Sequence, residues 1–173
     1  MFYYEEGSLH DVVSPDVMVC FGVPKGDRTS YKSWEENDVM PAVVIELASR
    51  STWHKDRTEK RELYEMLGVK EYYIFNPQYP KTLPAFMAFN LEDGELKKVT
   101  IENNRVYSDL LELELVDTGE TLRLFNPQTQ EFLKNSAELT LEVFQANQEV
   151  SQVNQENKNL KAEIERLKSL LKN

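Results

Sequence analysis

An acidic residue stands inside the most apolar stretch of this chain: Ala42 to Ala48 reads AVVIELA, with Glu46 embedded in it. A short, nearly continuous run of aliphatic and β-branched residues is the pattern of a strand buried on both faces, so the run predicts a central strand rather than an edge. A carboxylate there is costly. Left unpaired it loses its hydration for nothing in return, or else takes up a proton. Whatever folds around Glu46 must supply it with a partner.

The flanking segments predict what surrounds that strand. Val12 to Val23, VVSPDVMVCFGV, is rich in β-branched residues and stops at Gly22 and Pro24, so it reads as one strand carrying Pro15-Asp16 near its start. Pro24 to Pro41 is polar and turn-rich and reads as a long loop. Asp56 to Leu67 carries Leu63, Met66 and Leu67 at helical spacing, and Gly68 is placed to end a helix in the left-handed conformation. Glu71 to Phe75 (EYYIF) then predicts a strand that stops at Asn76-Pro77. Strand, helix, strand in that order favours a parallel crossover. Further strands are expected at Pro84 to Asn90 and Glu95 to Ile101 around an Asp93-Gly94 turn, then at Leu110 to Val116 and Thr121 to Phe125. The fold class is mixed α/β.

From about Ala137 the texture changes. Gly and Pro disappear, polar residues dominate, and a heptad emerges with Val143, Val150, Asn157, Ile164 and Leu171 at a and Leu139, Ala146, Val153, Leu160 and Leu167 at d. Mostly β-branched a positions with Leu at the strongest d positions favour two parallel strands, and a lone Asn at a fixes the register. In a parallel pair, Glu156 faces Lys161 of the partner and Glu163 faces Lys168, which is complementary. The organisation expected is one compact domain over residues 1–135 and a coiled-coil helix over 136–173 that joins two copies as a homodimer. An amphipathic helix folded back on its own domain fits less well, because the apolar seam is narrow.

Composition narrows the function classes. The 173 residues carry 20 Lys and Arg against 30 Asp and Glu, a formal charge of −10, which opposes broad binding to a phosphate backbone. Arg50, Lys55, Arg57, Lys60 and Arg61 nevertheless cluster against only Asp56 and Glu59, so either a local basic lip or a solvated helix face is expected there. Residues 128–142, just before the heptads, hold Glu131, Glu138 and Glu142 against Lys134, which excludes the basic region of a zipper transcription factor. Cys20, His10 and His54 share no zinc-ligand spacing, and a single cysteine forms no internal disulfide. No apolar run reaches the roughly 20 residues that cross a bilayer. A cytoplasmic location, with no membrane partner, is the expectation.

The chemistry follows from Glu46. A metal ion is one partner for a buried acid, and Asp16, near the start of a neighbouring strand, would complete a hard-oxygen pair suited to Mg2+ or Mn2+. Such a site cleaves phosphodiesters by polarising the phosphate and activating water, with a lysine to take the proton or steady the developing charge. Lys60 is placed to be that lysine, and Asp56 one turn earlier to pair with it. A helix cap and a surface ion pair would account for Asp56 and Lys60 as well.

Ser14-Pro15-Asp16, then Val43-Val44-Ile45-Glu46-Leu47-Ala48-Ser49, then Asp56-Arg57-Thr58-Glu59-Lys60 leading into Tyr64, and finally Gly68 to Pro77 (GVKEYYIFNP), resemble the Uma-type restriction endonucleases in order and spacing. The resemblance spans roughly residues 12–125. It implies the PD-(D/E)XK nuclease fold, a restriction-endonuclease-like mixed sheet with a flanking helix, together with divalent-metal dependence and DNA as substrate. Carried over by position, it implies Asp16 and Glu46 as metal ligands with the Leu47 carbonyl as a third, and Asp16, Glu46 and Lys60 as the catalytic set. Ala48 departs from the wider superfamily, which has lysine there; the lysine is taken to have moved to Lys60. Fifteen residues precede Asp16, fewer than the family usually has, so part of the usual N-terminal region is expected to be lacking. The expected function is a metal-dependent DNA endonuclease dimerised by its C-terminal helix. The alternative is a catalytically silent interaction module on the same fold.

Overall fold

The run around Glu46 is the second strand of a five-stranded sheet in a computed structural model of the chain, which describes residues 1–8, 10–78 and 84–170. In chain order the strands are β1 (Phe2–Tyr3), β2 (Val12–Val13), β3 (Val17–Val19), β4 (Tyr31–Lys32) and β5 (Val43–Leu47). Helices α1 (Trp53–Arg57) and α2 (Glu59–Met66) follow, then β6 (Glu71–Phe75), β7 (Phe86–Glu92) and β8 (Glu95–Val99). β9 (Arg105–Ser108), β10 (Leu113–Asp117), β11 (Leu122–Asn126), β12 (Glu131–Phe132) and α3 (Ser136–Leu170) complete the described elements. The central sheet runs β3-β5-β6-β7-β8, a small sheet runs β2-β1-β4, and a third runs β12-β11-β10-β9. The expectation of a mixed α/β fold is borne out.

The central sheet separates two cores because successive side chains of a strand point to opposite faces. Val44 and Ala48 of β5 and its exit, with Tyr72 and Ile74 of β6, pack under Trp53 of α1 and Tyr64 of α2. Val43 and Ile45, with Tyr73 and Phe75, face Val106 and Leu115 of the third sheet. β5 and β6 pair in parallel, Val43 opposite Glu71 through Leu47 opposite Phe75, and α1 and α2 make the crossover that a parallel pair needs. Glu71, at the start of β6, ties the third sheet down: it accepts hydrogen bonds from the hydroxyls of Ser108 and Tyr73 and from the Leu110 amide.

Three local expectations are corrected. Val12 to Val23 is not one strand: β2 pairs with β1 and β3 pairs with β5, in different sheets. Pro15 has no N–H to give a ladder, and the chain changes sheets around it. The segment from Pro24 to Pro41 is not loop throughout, since β4 lies parallel to β1 and a 3-10 turn covers Ser33–Glu35. Only two residues pair in each strand of that small sheet, too few to leave a periodic signal. The helix expected over Asp56 to Leu67 begins at Trp53 and is interrupted at Thr58, whose φ and ψ are −117° and −89° and whose hydroxyl bonds back to the His54 carbonyl at 2.8 Å. Its end is as expected. Gly68, at φ +75°, donates to the Glu65 carbonyl and Val69 to the Tyr64 carbonyl, the paired bonds of a Schellman cap.

The chain divides into two compact units, Met1–Phe132 and Leu133–Asn173. The second is built on α3, which opens with a reciprocal cap: the Glu138 amide donates to Asn135 Oδ1 at 2.9 Å and the Asn135 amide to Glu138 Oε2 at 2.7 Å. Leu139, Val143, Val150, Val153, Leu160, Ile164 and Leu167 lie along it at 48–61% exposure. Leu171, the last a position of the heptad, lies outside the described residues. No helix among the described residues is long and apolar enough to cross a membrane.

Candidate active site

Glu46 is 1% exposed and points to the helix-covered side of the sheet. Both of its oxygens are engaged. Tyr64 donates its hydroxyl to Oε1 at 2.6 Å, and Lys60 Nζ stands 2.8 Å from Oε2. Lys60 Nζ also lies 3.0 Å from Oδ1 of Asp56, a second ion pair. Asp56, Lys60 and Tyr64 are spaced four residues apart, so even with the break at Thr58 they present one face toward β5. Asp56 is itself buried, and the Tyr72 hydroxyl holds its backbone carbonyl at 2.8 Å.

The electrostatics of this group are unbalanced. Two buried carboxylates share one ammonium. Burial raises the Glu46 pKa above the ordinary carboxylate value, and the hydrogen bonds from Lys60 and Tyr64 only partly oppose it. For Lys60, burial alone would lower the pKa, but the bond to Glu46 and the charge of Asp56 outweigh it and hold the amine more basic than usual. Lys60 is therefore an ammonium, and Tyr64, pushed far up by burial and by Glu46, is a donor at all ordinary pH.

Asp16 immediately precedes β3. The β3–β5 ladder pairs Val17 with Ile45, so one further step sets position 16 opposite Glu46. Its Oδ2 accepts the amide of Leu47, the residue after Glu46, at 2.8 Å. Asp16 is exposed and reaches a cleft of about 510 Å³, which Met18, Cys20, Tyr31, Lys25 and Arg28 also line. Among the described residues no group of three or more His, Cys, Asp or Glu gathers as a metal cage. A pair of carboxylates is nonetheless the donor set of Mg2+, which keeps several of its waters and uses one or two carboxylates. The charge deficit around Glu46 is of the sign that such an ion relieves.

The basic stretch divides. Arg50, Lys55 and Arg57 are exposed, Arg57 resting on the Trp53 ring. Lys60 is turned inward and Arg61 lies over Phe89. Tyr64 and Tyr72 were not among the expected site residues. Beside Leu63 and Met66 Tyr64 reads as core, and the signals that could have found it are its place four residues after Lys60 and its position at the end of the Asp56–Lys60 motif.

The mixed α/β architecture is that of a restriction-endonuclease-like fold. The profile of the Uma2 family, described as "Putative restriction endonuclease", matches residues 2–165, nearly the whole chain, and the chain belongs to that family. Comparison with curated proteins finds no match. Membership bears out the resemblance read from the motifs and supports a nuclease function in general, for which DNA is the implied substrate. Restriction-endonuclease-like families generally use divalent metals.

Proposed function

We propose that the chain is a divalent-metal-dependent DNA endonuclease with Asp16 and Glu46 as its metal carboxylates, and that it works as a homodimer joined through α3. The observation that carries this reading is a carboxylate, 1% exposed in the central strand, sharing its only ammonium with a second buried acid. Mg2+ or Mn2+ would be held by Asp16, Glu46 and the Leu47 carbonyl, and when bound supplies Lewis-acid polarisation of the phosphate and a more acidic water.

The remaining chemistry belongs to the chain. Lys60, for which the sequence left two roles open, taking a proton or steadying charge, stands between two carboxylates as an ammonium, and in that state it steadies negative charge developing on the phosphate. Asp56 holds Lys60 in reach of the centre. Arg50, Lys55 and Arg57 are the exposed cations of the same stretch and would meet the DNA backbone, so an acidic protein need not be basic everywhere to bind it.

Dimerisation rests on α3. Its apolar a and d residues are half exposed, Asn157 is the single polar a residue among those described, and Glu156 and Glu163 meet Lys161 and Lys168 across a parallel pair. Cleavage assays on plasmid and oligonucleotide DNA with Mg2+ or Mn2+ test the whole reading. Activity that requires the ion and vanishes in Glu46→Ala is the expected result. Metal-independent cleavage, or no cleavage of any substrate by the intact protein, moves the balance to a silent interaction module.

A further inference from the structure

We propose that Tyr64 is the positioning residue of the centre: its hydroxyl fixes the orientation of the Glu46 carboxylate and thereby sets how tightly that carboxylate takes a divalent cation. This rests on the metal-centre reading above and assigns a role to a side chain to which the sequence motif gave none.

Tyr64 is held on every side. It is fully buried, and its ring lies 5.1 Å from that of Tyr72, which in turn stacks on Phe89 at 5.9 Å and 25°. Its own carbonyl accepts the Val69 amide in the cap of α2, so its main chain is fixed as well. From this frame the hydroxyl reaches Glu46 Oε1 at 2.6 Å, a short, charge-assisted bond. The other oxygen, Oε2, is held by Lys60, whose flexible four-carbon stem has a second carboxylate, Asp56, within reach.

The two grips on Glu46 therefore differ in kind. Lys60 can draw back onto Asp56 and give up Oε2, whereas Tyr64 has no second acceptor among the contacts described. An incoming cation competes with an ammonium for one oxygen while a rigid phenol keeps the carboxylate plane in place. Donors behind a metal ligand commonly act in this way, fixing its orientation and tuning its affinity.

Tyr73 offers an internal control. It is equally buried, and its hydroxyl donates to Glu71 at 3.0 Å on the opposite face of the same sheet. Mn2+ binding to the intact protein, followed by electron paramagnetic resonance of the free ion, should weaken by about 10- to 100-fold in Tyr64→Phe. It should be unchanged in Tyr73→Phe and lost in Glu46→Gln. Wild-type affinity in Tyr64→Phe overturns the role of Tyr64 alone, as does equal weakening in Tyr73→Phe, which would mean general loosening. Binding that is absent, or indifferent to Glu46→Gln, overturns the metal centre and this proposal with it. Should Tyr64→Phe fail to fold, 3-fluorotyrosine placed at position 64 keeps the hydroxyl. Its fluorine resonance should move with Mg2+ at the midpoint of binding, and a resonance that stays fixed at saturation overturns the proposal.

Discussion

At the scale of the residue, the centre is an account of charge in a dry place. Lys60 is the only cation in contact with Glu46 and Asp56 among the described residues, so Lys60→Met strands two buried acids. Urea unfolding should show a loss of about 3–5 kcal/mol, the usual cost of removing one partner from a buried pair. A loss under about 1 kcal/mol, the range of an exposed pair, would mean that water reaches the group freely. The pH dependence has a definite sign. Lys60 and Tyr64 both titrate above their ordinary values of 10.5 and 10.0, so the folded state keeps protons that the unfolded chain releases. Their contribution to stability is fully present below those ordinary values and is lost as pH rises through the raised ones. Stability should fall as pH rises above about 10, by up to about 1.4 kcal/mol per pH unit for each proton retained, and Lys60→Met should flatten that limb.

Among elements, what the sequence revealed depended on the length of each strand and the residue types it carries. β5 and β6 were legible because each is a short apolar run with the residue types of a buried strand, and the Asp93-Gly94 turn because both its residues take positive φ, +53° and +85°. The small sheet of β1, β2 and β4 was not, since each strand pairs over two residues and carries no period. β12 was missed for the same shortness. At the site, Glu46 announced itself by being out of place, and Asp56 and Lys60 by their spacing. Tyr64 did not, because a tyrosine on the apolar face of a helix is indistinguishable from packing until its hydroxyl is seen to have a partner.

Glu71 and Gly68 each hold an element in place. Glu71 is the acceptor for Ser108, Tyr73 and the Leu110 amide, so Glu71→Ala leaves buried donors unpaired and should cost on the order of 3 kcal/mol. It should also speed amide exchange in β9 and β10 relative to β5, whereas uniform acceleration would deny Glu71 its role as a tie between sheets. Gly68→Ala meets nothing within 4 Å but must adopt φ +75°. A loss of about 1 kcal/mol in unfolding experiments is expected from backbone strain alone.

For the whole molecule, the two units call for different tests. The α3 seam leaves Val143, Val150, Leu160 and Ile164 at 49–61% exposure, a cost that a second copy would relieve. Analytical ultracentrifugation should find a dimer, and Asn157→Ile should raise the thermal stability of the helix while broadening the range of oligomers. A strictly monomeric protein would remove α3 as an interface between copies. The centre itself is tested most directly by diffraction from crystals soaked in Mn2+, at the anomalous edge of the metal. A peak is expected within bonding distance of carboxylate oxygens of both Asp16 and Glu46, with the Tyr64 hydroxyl still on Glu46. Saturating Mn2+ with no peak at Glu46, or with a peak held by other residues, would contradict that expectation.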